Sequence, residues 1–372
     1  MKNINILVSG CLVLLIAVSS CKKEFPSVDD HFLNYQIPDV PATKNYNVGA
    51  FYYTFSSWNT NIKEKAAVGG SAGTYFYTNG IPVSSVIMDN HVANAALGGI
   101  DYFIFSVRSP NLDNAAFRTD SNTVVSFLNA ANSSKMNFAL SYQINLGLLG
   151  VSNNVTLESN PTRLQSFYND FKRLSYWMTK SNYQKVNGKY MLILNNSYNL
   201  HSANSEALYK QIRTNLSAMG FELYLVGQQP QWTPPQRFYY RFQNCVDAMY
   251  ESNMAEVAGN NDRYWEFGQF CDQNWAYWKT TIESWNSEFI PCVMPGYNYQ
   301  INNPTNPGLT RVRNDNGAFY KTFTDIAKRN ASKSGLIFID SFNNFTVDSQ
   351  LEPSQSYGTL YLDITRKAFK IN

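Results

Sequence analysis

Val48-Gly-Ala-Phe-Tyr-Tyr-Thr-Phe55 and Ile100-Asp-Tyr-Phe-Ile-Phe-Ser-Val107 are two largely apolar runs, rich in aromatic and β-branched residues. Runs that do not alternate strictly between apolar and polar residues are typical of parallel strands covered on both faces. Similar runs follow at 136–142, 189–194, 221–226, 245–250, 289–294 and 335–339. The sequence therefore predicts eight parallel strands.

Amphipathic helices are predicted between these strands. Asn160 and Pro161 are an N-cap followed by proline at the first helical position, and Leu164, Phe167 and Phe171 begin an apolar face at helical spacing. Residues 262–282 show the same spacing, with Phe267, Phe270 and Trp275 on the apolar face, and shorter candidates lie at 124–131, 205–219, 316–329 and 357–369. Eight strand–helix alternations predict an α/β fold, a single (β/α)8 TIM barrel. The runner-up is a doubly wound open sheet, but the chain has neither a GxGxxG nor a GxxxxGK[ST] motif.

The N-terminus is typical of a secretion signal. A single lysine precedes the apolar stretch 6–18, and small residues then lead directly to Cys21. This pattern resembles a bacterial lipoprotein signal, in which Cys21 is lipidated; an ordinary signal peptide cleaved nearby is the alternative. We therefore expect a signal at 1–20, a lipidated cysteine and flexible tether at 21–45, and a barrel at 46–372, anchored in the bacterial cell envelope.

Composition excludes several classes of function. Lys and Arg exceed Asp and Glu by only three, so the chain has no broad basic field for nucleic acid. No Cys/His cluster suggests a metal, and no motif suggests an organic cofactor. Cys245, Cys271 and Cys292 are expected to be buried, with at most one disulfide among them.

The residues expected at the C-terminal ends of the strands are mostly amides, hydroxyls and aromatics, the groups that bind sugar hydroxyls and the apolar faces of sugar rings. We therefore predict a neutral glycan ligand. The predicted substrate-binding residues are Tyr52, Tyr53, Trp58, Asn145, Asn195, Gln228, Tyr297, Tyr299, Asn343 and Asn344. The competing interpretation is that these residue types are simply common in the loops of this chain.

Five blocks in register carry a resemblance to a known family. They are Gly49-Ala-Phe-Tyr-Tyr53, Ala96-Leu-Gly-Gly-Ile-Asp101-Tyr-Phe, Lys185-Val-Asn-Gly-Lys189, Ile290-Pro-Cys-Val-Met-Pro-Gly-Tyr297 and Ile339-Asp-Ser-Phe-Asn-Asn-Phe-Thr-Val-Asp-Ser-Gln-Leu-Glu-Pro353. Together they resemble glycoside hydrolase family 99 and the related WbsX-like and family 71-like proteins. The resemblance implies a (β/α)8 barrel acting on α-mannosidic or related linkages, in family 99 as a retaining endo-glycosidase.

The last block departs from the family where the chemistry is expected. The family pattern has two glutamates there, a base for the substrate 2-hydroxyl and a general acid/base. This sequence has Asn344 and Val347 at those positions. An amide is a poor base and valine has no proton to give, so the family mechanism is expected to fail.

Two carboxylates are candidate replacements. Glu251 follows the sixth strand run, and Asp348 lies one position beyond the lost acid. Glu251 could instead bind ligand or pair with an arginine, and Asp348 could be a solvated loop residue. Asp340 is expected within the eighth strand, and Glu352 matches a family Glu-Pro that does not carry the chemistry.

Two functions follow from these residues. The first is an envelope lipoprotein that recognises a neutral α-linked, mannan-like glycan, with catalysis lost or altered. The alternative is an active endo-acting glycosidase that uses Glu251 and Asp348. The expected partners are a glycan, the membrane through the lipid on Cys21, and other glycan-uptake proteins.

Overall fold

Parallel strands form a nearly closed barrel in the computed structural model, which describes residues 35–54, 61–67, 83–252, 254–255, 267–305, 310–311, 313 and 315–371. In this part of the chain the strands are β1 (Asn47–Tyr52), β2 (Tyr102–Val107), β3 (Asn137–Gln143), β4 (Lys185–Val186), β5 (Lys189–Asn195), β6 (Leu223–Gln229), β7 (Ala248–Glu251), β8 (Glu288–Ile290), β9 (Cys292–Val293), β10 (Tyr297–Asn298), β11 (Thr310–Arg311) and β12 (Leu336–Ile339). The prediction of a (β/α)8 barrel is confirmed.

The barrel closes through one chain segment that contributes two short strands. The sheet order is β8-β7-β6-β5-β3-β2-β1-β12-β9, so both ends of the sheet belong to residues 288–293. Pro291 separates β8 from β9 because it has no backbone N–H to donate. Its carbonyl accepts a hydrogen bond from the Phe338 N–H at 2.9 Å, which joins this segment to β12. The barrel wall therefore has eight strand positions, as predicted.

Helices follow most of the strands and cover the barrel. In the described residues they are α1 (Ser85–Leu97), α2 (Asn114–Leu128), α3 (Leu146–Leu149), α4 (Pro161–Met178), α5 (Ser205–Ser217), α6 (Tyr239–Phe242), α7 (Phe267–Glu283), α8 (Ala318–Asn330) and α9 (Leu360–Phe369). The predicted cap of α4 is present, since Asn160 Oδ1 accepts a hydrogen bond from the Arg163 N–H at 3.1 Å. No helix in the described part is long and apolar enough to cross a membrane.

One helical residue departs from its predicted role. Phe270 was expected on the buried face of α7, but its side chain is 53% exposed. The buried stripe of α7 runs through Phe267, Cys271, Trp275 and Trp278 instead. Phe270 packs on the Trp232 ring, with 4.9 Å between the ring centroids.

Two apolar layers result from the alternation of side chains along the strands. Phe51, Ile104, Tyr250 and Phe338 belong to a cluster inside the barrel, whereas their strand neighbours pack against the helices. Cys245, Cys271 and Cys292 are buried free thiols, which confirms their predicted packing role.

Residues Ile37–Asn372 form one compact unit. The unit begins within the segment predicted as a tether. The Val40 N–H donates a hydrogen bond to Asp325 Oδ1 on α8 at 3.1 Å. The last part of the predicted tether therefore packs on a barrel helix.

Candidate functional site at the mouth of the barrel

Strand alternation determines which side chains reach the mouth of the barrel, where the parallel strands end. Side chains two positions apart in a strand lie on the same face. On five strands, the residue two positions beyond an interior residue therefore also points into the barrel, at its C-terminal end. These mouth residues are Tyr53, Ser106, Asn195, Gln228 and Asp340. Gln143 joins them, because its Nε2 donates a hydrogen bond to Ser106 Oγ at 3.2 Å. The described mouth thus contains amides, hydroxyls and one carboxyl group.

Three aromatic rings form an apolar floor beneath these groups. Phe51 stacks on Tyr250 with ring centroids 5.6 Å apart, and Phe338 meets the Tyr250 ring edge-on at 5.3 Å. All three side chains are buried. A polar group directly above this floor has little water around it.

Asp340 is the carboxyl group above the aromatic floor. It follows the last residue of β12, its side chain is 3% exposed, and its Oδ1 accepts a hydrogen bond from the Tyr53 hydroxyl at 3.0 Å. Its own N–H donates to Val293 O at 2.9 Å, which fixes the backbone beneath it. The sequence predicts Asp340 within the eighth strand; it lies one residue beyond that strand, and its spacing from Leu336 and Phe338 indicates that it faces inward.

The electrostatics of this pair follow from its burial. Desolvation raises the pKa of Asp340 to about 6, although the hydrogen bond from Tyr53 acts in the opposite direction. Desolvation and the nearby Asp340 charge raise the pKa of Tyr53 well above its ordinary value. The carboxyl therefore titrates near neutral pH, while the phenol stays protonated.

Asn343 holds Tyr53 in position through the backbone. The Tyr53 N–H donates to Asn343 Oδ1 at 2.8 Å, and Asn343 Nδ2 donates to Tyr53 O at 3.1 Å. The predicted ligand-binding amide of Asn343 thus joins the end of β1 to the loop after β12. Its contribution to the mouth is to position Tyr53.

The remaining mouth amides have fixed orientations. Asn195 Nδ2 donates to the Tyr250 hydroxyl at 3.4 Å. Gln228 Nε2 donates to Ser252 Oγ at 2.5 Å, and its Oε1 accepts from the Asn196 N–H at 2.5 Å. Asn195 and Gln228 therefore lie at the mouth, where the sequence places them, and these hydrogen bonds fix the orientation of their amide groups.

The loop after β12 contains the two positions that match the family glutamates. Asn344 Oδ1 accepts hydrogen bonds from the Thr346 N–H at 3.1 Å and from Thr346 Oγ1 at 2.5 Å, which caps the short 3-10 helix Phe345–Val347. Val347 packs, partly buried, against the outer apolar layer. Both side chains thus have local structural roles.

Asp348 is the second carboxylate predicted from the sequence. Its Oδ1 lies 2.5 Å from Arg313 Nη2 in an ion pair in which the arginine side chain is 1% exposed. The Arg313 guanidinium also lies over the Tyr357 ring, 4.4 Å from its centroid. Asp348 therefore lies in a structural ion pair that joins the loop after β12 to the segment before α8.

Glu251, the other predicted carboxylate, ends β7 and is 1% exposed. Tyr250 points into the barrel, so Glu251 points toward the helix layer. There burial, and after it the Glu251 charge, raises the pKa of Cys271 on α7. Burial raises the pKa of Glu251 well above its ordinary value, and the backbone of Trp232 acts in the opposite direction. Glu251 and Asp340 thus lie on opposite sides of the barrel wall.

The other predicted site residues occupy different surroundings. Tyr52 is fully buried in the outer layer, with its hydroxyl 2.8 Å from His91 Nδ1. Asn145 caps α3 by accepting a hydrogen bond from the Leu148 N–H at 3.1 Å. The rings of Tyr297 and Tyr299 stack 6.5 Å apart after β9. Trp58 and Cys21 lie outside the described residues.

The fold and the composition of its mouth define a glycoside hydrolase-like (β/α)8 protein. The family model described as "Glycosyltransferase WbsX" matches residues 149–365, more than half of the chain. The chain therefore belongs to the WbsX family, which confirms the resemblance to WbsX-like and family 99 proteins.

Individual relatives agree with this assignment. A solved glycoside hydrolase-like protein is 28% identical, with a TM-score of 0.82 over 92% of this chain and 99% of its own. The family 99 endo-alpha-mannosidase of Bacteroides thetaiotaomicron is 16% identical, with a TM-score of 0.60 over 88% of this chain and 97% of its own. Glycoprotein endo-alpha-1,2-mannosidase of Rattus norvegicus is 37% identical over 94 residues, which cover 24% of this chain and only 20% of that enzyme.

Proposed function

We propose that this protein binds a neutral, mannan-type α-linked glycan at the mouth of its barrel and does not hydrolyse it by the family mechanism. The observation that carries the proposal is the environment of the two positions that match the family glutamates. Asn344 caps a turn and Val347 packs against the apolar layer. Neither side chain can exchange a proton with a sugar.

The mouth supports a neutral polyhydroxylated ligand. Asn195, Gln228 and Gln143 provide oriented amide groups, and the partly exposed Tyr53 adds an aromatic face beside them. Amides pair with hydroxyls as both donors and acceptors, and aromatic rings cover the apolar side of a pyranose. The mannosidase names of several relatives support a mannose-containing ligand.

The alternative is an endo-acting glycosidase with Glu251 and Asp348 as relocated carboxylates. Retaining and inverting enzymes place two carboxyl groups on either side of the scissile bond. Asp348 is already paired with Arg313, and Glu251 faces the helix layer. These surroundings favour binding over cleavage.

One experiment separates the two functions. The purified protein is incubated with soluble α-mannan and with other α-linked glycans, and both retention of the glycan and release of reducing ends are measured. We expect retention without release at high protein concentration and long incubation. Asn195→Ala should weaken retention, because it removes an oriented amide from the mouth.

Two further variants provide the controls. Tyr176→Ala removes a tyrosine that is 58% exposed near the end of α4, at the opposite end of the barrel, and should leave retention unchanged. Glu251→Gln should also leave retention unchanged. Wild-type release that Glu251→Gln abolishes would establish the relocated hydrolase, and absence of both retention and release would refute glycan binding.

We propose that Cys21 carries lipid and anchors the chain in the bacterial cell envelope, on the basis of the apolar stretch and small residues that precede it. The glycan could then pass from the barrel to other uptake proteins at the same membrane. Cys21→Ser should move the protein from the membrane fraction to the soluble fraction and abolish incorporation of a labelled fatty acid.

A further inference from the structure

The Asp340 carboxyl group has one oxygen whose hydrogen-bonding capacity is not used. Its Oδ1 accepts from the Tyr53 hydroxyl, whereas no described residue donates a hydrogen bond to its Oδ2. No lysine or arginine of the described part is paired with this carboxyl group either. Asp340 as a whole is 3% exposed, so its carboxylate has lost most of its hydration, and a donor from a ligand to Oδ2 would be stabilising.

The position of Asp340 determines what can reach this oxygen. The residue lies above the floor formed by Phe51, Tyr250 and Phe338 and points into the mouth. Its backbone N–H is bonded to Val293 O, and Asn343 holds the Tyr53 backbone. The carboxyl group is therefore held in a fixed orientation, which lowers the entropy lost when a ligand binds.

We infer that Asp340 is the residue that anchors the glycan, with Oδ2 accepting a hydrogen bond from a hydroxyl group of the bound sugar ring. This inference rests on the proposed function and names the ligand-binding residue of the same site. Hydrogen bonds to a charged acceptor are roughly twice as strong as neutral ones, so this contact should exceed those of the mouth amides. A sugar hydroxyl donates to Oδ2 while the Tyr53 hydroxyl continues to hold Oδ1.

The contact has a pH dependence that a structural role would not produce. A protonated carboxyl group loses the charge that strengthens the bond, and the pKa of Asp340 is raised to about 6 by burial. The titratable groups that face Asp340 are Tyr53 just after β1, Tyr250 from β7 and Cys292 from β9, and burial raises the pKa of each well above its ordinary value. Asp340 is therefore the group of this cluster expected to change charge between pH 5 and 8.

The test measures the affinity for soluble α-mannan by calorimetry between pH 5 and 8. Wild-type affinity should be highest at pH 8 and fall by about tenfold toward pH 5. Asp340→Asn should lower the affinity at pH 8 by about 10–100-fold and abolish the pH dependence. Asp89→Asn is the matched control, because Asp89 on α1 accepts hydrogen bonds from Asn132 before β3, near the other end of the barrel.

The outcomes distinguish this inference from the proposed function. Wild-type affinity that stays constant with pH, or a folded Asp340→Asn protein with wild-type affinity, would overturn the inference while glycan binding stands. Stronger binding of a cationic glucosamine oligomer than of mannan would also overturn it, because Asp340 would then pair with an ammonium group. Failure of the wild type to bind any α-linked glycan would overturn both.

Discussion

Tyr52 and Tyr53 are neighbours in the chain, yet their hydroxyl groups belong to two very different environments. The Tyr52 hydroxyl lies 2.8 Å from His91 Nδ1, and His91 Nε2 lies 3.1 Å from Glu352 Oε1 in the helix layer. The Tyr53 hydroxyl donates to Asp340 inside the barrel. Alternation along β1 thus directs one tyrosine to each side of the barrel wall.

We call Tyr52, His91 and Glu352 the outer assembly, and Tyr53 and Asp340 the inner assembly. The two differ in whether their polar atoms have hydrogen-bond partners within the protein. In the outer assembly both histidine nitrogens have partners, and the His91 and Glu352 side chains are 0% exposed. In the inner assembly Asp340 Oδ2 has no donor among the described residues. A buried group that is fully satisfied by the protein stabilises the fold, whereas a carboxylate oxygen without a donor costs stability and, at the mouth of the barrel, can take its donor from a ligand.

Glu352→Ala should have the largest effect on stability, because it removes the carboxylate of the outer assembly. The substitution leaves a buried histidine without its carboxylate partner and opens a cavity, so the free energy of unfolding should fall by about 3–5 kcal/mol. Denaturant unfolding measures this loss. Affinity for glycan should remain at the wild-type value under conditions where the variant is folded.

Glu352→Gln is the matched control, since its amide can still hydrogen-bond to His91 Nε2. It should cost clearly less than the alanine variant. Loss of glycan affinity in folded Glu352→Ala would contradict the separation of the two assemblies.

The sequence was sufficient to predict the fold because buried parallel strands need continuous apolar runs. All eight predicted runs became strands, and the cap at Asn160 was present. Residues of the mouth were harder to predict. Asn343 binds the backbone of Tyr53, 290 positions away, and nothing local in the sequence indicates that this amide is already occupied.

Asp340 shows how strand alternation could have improved the prediction of the site. It continues the inward spacing of Leu336 and Phe338, whereas Tyr52 falls on the outward side of β1. Both assignments follow from period two once the strand bounds are known. Which oxygen of the inward-facing Asp340 carboxyl group lacks a donor depends on contacts between distant strands. Only the structure shows this.

Asp340→Asn should have the second-largest effect on stability. Unlike Glu352→Ala, it should stabilise the protein. The pKa of Asp340 in the folded state is about 6, against an ordinary value of 3.8. The folded protein therefore binds more protons than the unfolded chain in this range, so wild-type stability falls as pH rises from about 4 through 6. At pH 8 the buried charge costs about 3 kcal/mol.

The amide removes this cost. Asp340→Asn should match the wild type at pH 4 and exceed its free energy of unfolding by up to about 3 kcal/mol at pH 8. Denaturant unfolding at both pH values checks this difference. A constant difference between the two proteins from pH 4 to 8 would mean that the carboxyl group does not titrate in the folded protein near pH 6.

Tyr53→Phe should have the smallest effect on stability, and it tests the hydrogen bond between Tyr53 and Asp340 directly. It removes one hydrogen bond from the inner assembly at a cost of about 1 kcal/mol, while the Asn343 contacts with the Tyr53 backbone remain. The lost hydrogen bond had lowered the pKa of Asp340, so that pKa should rise above about 6. Carbon-13 NMR of the aspartate carboxyl groups measures the shift. Tyr52→Phe deletes the same hydroxyl from the other side of the wall and should leave the Asp340 titration unchanged; an equal shift in both variants would mean that general loosening of β1, and not the lost hydrogen bond, moves the pKa.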